Sequence, residues 1–161
     1  MTDLLDYQNV LTPNYGVPPT IIVRGTGCEL FGQHDERYLD FAGGIAVSAL
    51  GHCHPDIVKA LTDQANQVWH LSNVLANEPA IELAKSLVAE TFADRVFFCN
   101  SGAEANEAAI KAARRAAFDL HGEQKAEVIA FNDAFHGRTI ATITAGGQPK
   151  YRTGFGPMPE G

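Results

Sequence analysis

Residues 20–41, TIIVRGTGCELFGQHDERYLDF, alternate short β-rich runs with turn residues at Gly25, Gly27, Gly32 and His34-Asp35-Glu36. That spacing predicts a three-stranded antiparallel meander, with the glycines around Thr26 as a hairpin turn. After the loop AGGIAVSALGHCH, Pro55 suits a first helical turn, and Ile57, Val58, Leu61, Ala65 and Val68 recur at helical spacing. Pro79 repeats the device, and Ile81, Ala84, Leu87 and Val88 form the apolar stripe of a second helix. From Arg95 the pattern becomes a strand RVFFC, a helix over 103–120 closed by Gly122, a strand EVIAFN, the loop DAFHGRT and a β-rich IATITA.

Strands alternating with a helix of this length predict an α/β fold with a mostly parallel sheet under covering helices. The chain divides in this reading into an N-terminal meander-and-helix segment, 1–70, and a larger α/β part, 71–161. Two or three parallel strands with one crossover leave edges unpaired and a face uncovered. The expectation is therefore that these 161 residues are the front part of something larger.

Composition narrows the function classes. With 45% hydrophobic and 19% charged residues the chain is globular in type. A net charge of −7, without a long run of either sign, argues against binding a nucleic-acid backbone. The amino terminus carries Asp3 and Asp6 and lacks the basic and apolar regions of a secretory signal, and no stretch approaches the roughly 20 apolar residues of a membrane span. The expectation is a soluble cytoplasmic protein without nucleic-acid or membrane partners. Cys28, Cys53 and Cys99 are odd in number and far apart, which predicts reduced thiols. His52 and His54 flank Cys53, but no further cluster completes four metal ligands, so no metal site is predicted.

The corner FFCNSGAE holds the candidate chemistry. Ser101 and Glu104 stand in the S-x-x-E spacing of a capping box, in which the serine hydroxyl accepts from the Glu104 amide and the carboxylate turns back to the Ser101 amide. Gly102 carries no side chain, so an anion can approach the amides of Gly102 and Ala103 at the positive end of the helix dipole. A capped helix start alone needs no ligand. However, the small residues Ala105, Ala108, Ala109, Ala112, Ala113, Ala116 and Ala117 would let this helix lie close on a sheet. Its amino end would then sit near the carboxyl ends of the strands, where open α/β sheets place ligands. Neither a P-loop nor a dinucleotide fingerprint is present. The second loop, FNDAFHGRT, should open on the same edge. There Phe135 can cover a flat heteroaromatic ring and Arg138 offers a planar fork for a carboxylate, although a core phenylalanine and a surface ion pair are their plainer readings. Taken together, the residues describe a phosphorylated aromatic cofactor beside a carboxylate-bearing substrate, and pyridoxal 5'-phosphate fits.

The stretches YLDFAGGIAVSALGHCHP, HLSNVLANEPAIELAKSL, FFCNSGAEANEAAIKAAR, AFHGRT and GGQPKYRTGFGP together resemble the class III pyridoxal-phosphate aminotransferases, over nearly the whole chain from about Asn14. Within that class the likeness is to members that exchange the δ-amino group of N-acetylornithine with 2-oxoglutarate in arginine biosynthesis, members acting on succinylornithine, succinyldiaminopimelate, ornithine or 4-aminobutyrate being the alternatives. The resemblance implies fold type I, with 1–70 part of a small domain and 71–161 the start of the cofactor-binding large domain. It implies a homodimer and amino-acid and 2-oxo-acid substrates. It also implies that Gly102 and Ala103 bind the cofactor phosphate, Phe135 stacks on the pyridine ring and Arg138 holds a substrate carboxylate. The family often has Thr where this chain has Ala103, which keeps backbone donation and removes a hydroxyl. Transamination needs a Schiff-base lysine and an acid at the pyridine nitrogen. Lys59, Lys85, Lys111, Lys125 and Lys150 do not stand in the family's Schiff-base context, so no catalytic residue is assigned within this chain. A non-catalytic assembly module is the alternative of another class.

Overall fold

The computed structural model describes residues 3–161. Contacts divide the chain into two units, one ending at Asn77 and one running Glu78–Gly161.

The first unit opens with α1, Leu4–Val10, whose start is closed reciprocally: Asp3 accepts from the amides of Leu5 and Asp6, and the Asp6 carboxylate accepts from the Asp3 amide. The predicted meander follows as β1 (Ile22–Thr26), β2 (Glu29–Gly32) and β3 (Arg37–Leu39), antiparallel in the order β1-β2-β3. Thr26 faces Glu29 across β1 and β2, so the turn is Gly27-Cys28 and Gly25 lies inside the strand, one pair further in than the sequence placed it. The reason is a close approach. A Cβ on Gly25 would stand 2.9 Å from the Cβ of His52, and His52 exchanges both backbone hydrogen bonds with Gly27 (2.9 and 2.7 Å).

His52 also holds the exit from β3, because its Nε2 lies 2.7 Å from Asp40 Oδ2. The other Asp40 oxygen accepts from the amides of Ala42 (3.0 Å) and Gly43 (2.8 Å), at the start of the short α2, Gly43–Ala46. The neighbouring His54 caps α3, Pro55–Ala65, accepting from the Asp56 amide through Nδ1. Both histidines of GHCHP thus have structural work. Among the described residues no group of three His, Cys, Asp or Glu side chains stands where a metal ion could be held.

In the second unit α4 spans Glu78–Glu90 and α5 spans Gly102–His121, with Gly122 at its C-cap. Two expectations fail. The segment IATITA is not β-rich but helical, as α6, Ile140–Gly146. Its β-branched residues are accommodated because Thr142 and Thr144 bond back to the carbonyls of Thr139 (3.0 Å) and Ile140 (2.7 Å), and Thr142 and Ile143 form the buried face. Tertiary burial here overrides a weak intrinsic preference. The segments RVFFC and EVIAFN form no strand ladder among the described residues, whose one sheet is the meander. Val128 donates instead to the carbonyl of Gly161 (2.8 Å). A parallel strand needs neighbours on its edges and helices on both faces. Without them Phe97 and Ile129 remain 76% and 95% exposed. The alanine face of α5 lines an open hollow with Phe97 rather than a sheet. A four-residue helix α7, Pro149–Arg152, follows α6.

The Asp40 arrangement has a pH consequence. The His52 hydrogen bond first, then the Gly43 and Ala42 amides, hold the Asp40 carboxyl below its ordinary value. A depressed folded pKa means stability that is present above the unfolded value of about 3.9 and is lost as pH falls through the folded one. Thermal unfolding followed from pH 6 downward should therefore show a shallower acid limb for Asp40→Asn than for the native protein. Superimposable acid limbs would contradict the assignment.

Candidate functional site

The start of α5 is built from a serine cap. Ser101 is in an extended conformation and its hydroxyl oxygen accepts from the Glu104 amide (3.2 Å). The other half of the expected capping box does not form. The Glu104 carboxylate instead accepts from the Ser101 hydroxyl (3.1 Å) and from the Asn100 side-chain amide (3.4 Å). Those two donors draw the negative charge back toward the cap. The amides of Gly102 and Ala103, in the first helical turn, have no intrahelical carbonyl to reach. Apart from its chain neighbours and its own helix backbone, no atom lies within 4 Å of where a Gly102 side chain would begin. A 20-residue helix therefore presents open backbone donors and the positive end of its dipole to an uncluttered space.

The loop bearing Phe135 and Arg138 lies directly against this turn. Asn106 Nδ2 spans the junction, donating to the carbonyls of Gly102 (3.0 Å) and His136 (2.9 Å). Gly137 sits so close to α5 that a Cβ there would fall 2.6 Å from the Cβ of Ala103. Thr139 donates to the Glu107 carboxylate (2.5 Å), which fixes the loop's far end. From the other side Gln148 Nε2 donates to the carbonyl of Ala134 (2.9 Å), and Gly146 packs against the same carbonyl. The loop is thus clamped between α5 and the α6–α7 connection.

Phe135 is 64% exposed, so its ring keeps a free face. The Arg138 guanidinium carbon lies 5.2 Å from the centre of that ring and 4.0 Å from the centre of the Tyr151 ring. Lys150 Nζ lies 4.6 Å from the Tyr151 ring centre. Lys150, as a hydrogen-bonding neighbour, draws the Tyr151 phenol below its ordinary pKa against the opposing effect of burial, and the charges of Arg138 and Lys150 add smaller lowering effects. The four positions named from sequence, Gly102, Ala103, Phe135 and Arg138, therefore fall at one helix start and on the loop packed against it. Asn106, Gly137 and Tyr151 escaped that reading. An asparagine among alanines one turn into a helix is the signal by which the first of them could have been found.

The donor set suits a phosphorylated group. Open main-chain amides bind phosphate oxygens without needing a side-chain charge, and an exposed aromatic face beside them suits a flat ring.

Comparison with known proteins identifies the family. The family model Aminotransferase class-III matches residues 10–161. The chain is 60% identical to the acetylornithine aminotransferase of Vibrio parahaemolyticus over 153 residues, 95% of this chain and 38% of that protein. It is 57% identical to the succinylornithine transaminase/acetylornithine aminotransferase of Pseudomonas aeruginosa, covering 97% of this chain and 38% of that one. Among solved structures it superposes on the ornithine aminotransferase of Toxoplasma gondii, with pyridoxal phosphate at partial occupancy in the active site, at a TM-score of 0.87 and 27% identity. That match covers 96% of this chain and 36% of the other. These neighbours are pyridoxal-phosphate-dependent aminotransferases of fold type I. The chain spans less than two-fifths of the length of the curated relatives.

Gly137 has φ +125°, a conformation that side-chain-bearing residues rarely adopt, and it meets Ala103 at contact distance. Gly137→Ala should cost about 1–3 kcal/mol from backbone strain alone, and should free the loop from α5. Equilibrium unfolding and amide exchange at residues 133–139 check this; native stability with unchanged protection would contradict it.

Proposed function

Because the chain belongs to the class III aminotransferase family, we propose that it supplies the cofactor-phosphate and carboxylate contacts of an enzyme transferring the δ-amino group of N-acetylornithine to 2-oxoglutarate. The observation that supports this reading is the clamped loop, which sets Phe135 and Arg138 beside the open amides of Gly102 and Ala103. Each hydrogen bond to a charged group contributes about 1.5–3 kcal/mol, and the helix dipole adds roughly 0.3–1 kcal/mol. Such a cup holds a phosphate moderately, so ring stacking on Phe135 and a covalent anchor must complete the binding.

Pyridoxal phosphate, when bound, supplies the electron sink that makes amino transfer possible. This chain's residues do the holding. The Gly102 and Ala103 amides take the phosphate, and the Glu104 carboxylate is held by hydrogen bonds from Ser101 and Asn100. Phe135 covers one face of the pyridine ring and excludes water there. Arg138 orients a carboxylate of N-acetylornithine and then a carboxylate of 2-oxoglutarate, the two partners occupying the site in turn. In this reading the Schiff-base lysine and the acid at the pyridine nitrogen come from the part of the relatives' length that this chain does not span.

We assign residues 1–70 to the small domain and 71–161 to the large one, in a cytoplasmic homodimer. In this reading a partner chain covers apolar side chains such as Phe41, Ile45 and Trp69 of the first unit and Phe92 of the second, each at least 88% exposed. No described helix is long and apolar enough to cross a membrane. A second reading of the donor is N-succinylornithine, favoured by the double name of the Pseudomonas aeruginosa relative.

The full-length protein, assayed with 2-oxoglutarate, should prefer N-acetylornithine over free ornithine by about tenfold or more in kcat/KM, roughly 1.4 kcal/mol of discrimination. A strong preference for free ornithine would overturn the donor assignment, and no transamination with any of these donors would favour a non-catalytic module. Arg138→Ala should lower kcat/KM for both partners by about 10- to 150-fold, the loss expected for a charge-assisted hydrogen bond.

A further inference from the structure

The guanidinium of Arg138 carries five N–H donors in one plane. None of the ion pairs among the described residues includes it. What it touches is aromatic: the Tyr151 ring at 4.0 Å and the Phe135 ring at 5.2 Å. A cation resting on ring faces is held through its own flat face, which leaves its in-plane N–H edges free. A planar carboxylate binds along such an edge with two parallel hydrogen bonds. Tyr151 is itself held in register with Arg138. Gln148, at the N-cap of α7, donates to the carbonyls of Asp133 (3.4 Å) and Ala134 (2.9 Å) on the loop that carries the arginine.

We propose that Tyr151 is a positioning residue for substrate recognition: its ring fixes the plane of the Arg138 guanidinium so that both partners' carboxylates meet a preformed fork. The proposal rests on the assignment of Arg138 to the substrate carboxylate made above. It predicts a role for the ring face and none for the phenol oxygen. Lys150 is a second cation over the same ring, with Nζ 4.6 Å from its centre.

The test uses the complete holoenzyme with Tyr151→Phe, Tyr151→Met and Arg138→Ala. It reads KM and kcat for the amino donor and 2-oxoglutarate, and calorimetric binding of glutarate, an unreactive dicarboxylate. Tyr151→Phe should match the native enzyme within about twofold, because it keeps the ring. Tyr151→Met fills similar volume without a ring, and should raise both KM values and weaken glutarate about fivefold, with kcat changed far less. Tyr151→Leu gives the same reading should the methionine variant fail to fold. If the methionine or leucine variant binds glutarate as tightly as native while Arg138→Ala weakens it, the positioning role is overturned and the carboxylate assignment stands. If Arg138→Ala leaves glutarate binding unchanged, the carboxylate assignment fails and the proposal fails with it. Equal losses in Tyr151→Phe and Tyr151→Met would place the effect on the phenol oxygen and also overturn the proposal.

Discussion

The contact between Gly137 and Ala103 is the constraint on which the rest of the site depends. Two backbone segments 34 positions apart meet there closely enough that neither tolerates an added methyl group on the glycine. Through that contact the loop 133–139 shares the space above the first turn of α5. The open amides, the aromatic ring and the guanidinium become one neighbourhood as a result. Loosening it would leave each element intact and the site dispersed.

Binding sites on loops need a scaffold that sets them, since loop backbones order themselves poorly. Here the scaffold acts from both sides. Asn106 and Glu107 of α5 hold the carbonyl of His136 and the hydroxyl of Thr139, while Gln148 holds the carbonyl of Ala134. The buried Thr142 of α6 joins the same network through the Thr139 hydroxyl at 2.9 Å. The least exposed side chains of the second unit therefore lie immediately behind the candidate site, and its charged and aromatic tips face outward.

Much of this arrangement was legible in the chain. The meander, α3, α4 and α5 follow local rules: turn glycines, prolines at helix starts, apolar residues at helical spacing and Gly122 at a helix end. Gly102, Ala103, Phe135 and Arg138 were placed by the sequence at a helix start and on the following loop, and the structure packs that loop against that helix start. What escaped was non-local. IATITA has strand propensity, and its burial within the second unit and the back-bonding of its threonines make it a helix. The turn slipped from Gly25 to Gly27 because His52, far along the chain, crowds the first glycine. The half-formed capping box reflects competition for Glu104 by the Ser101 hydroxyl and the Asn100 amide, which spacing does not disclose. RVFFC and EVIAFN read as strands, but a ladder also requires a partner, and no described segment pairs with them.

The central claim is that main-chain amides at the α5 start hold an anionic group while the adjacent loop covers the ring attached to it. A structure of the complete protein with pyridoxal phosphate bound tests this most directly. The account predicts phosphate oxygens within about 3 Å of the Gly102 and Ala103 nitrogens, with the Phe135 ring lying over the pyridine. A phosphate held by another element, with the Gly102 amide facing solvent, would contradict it.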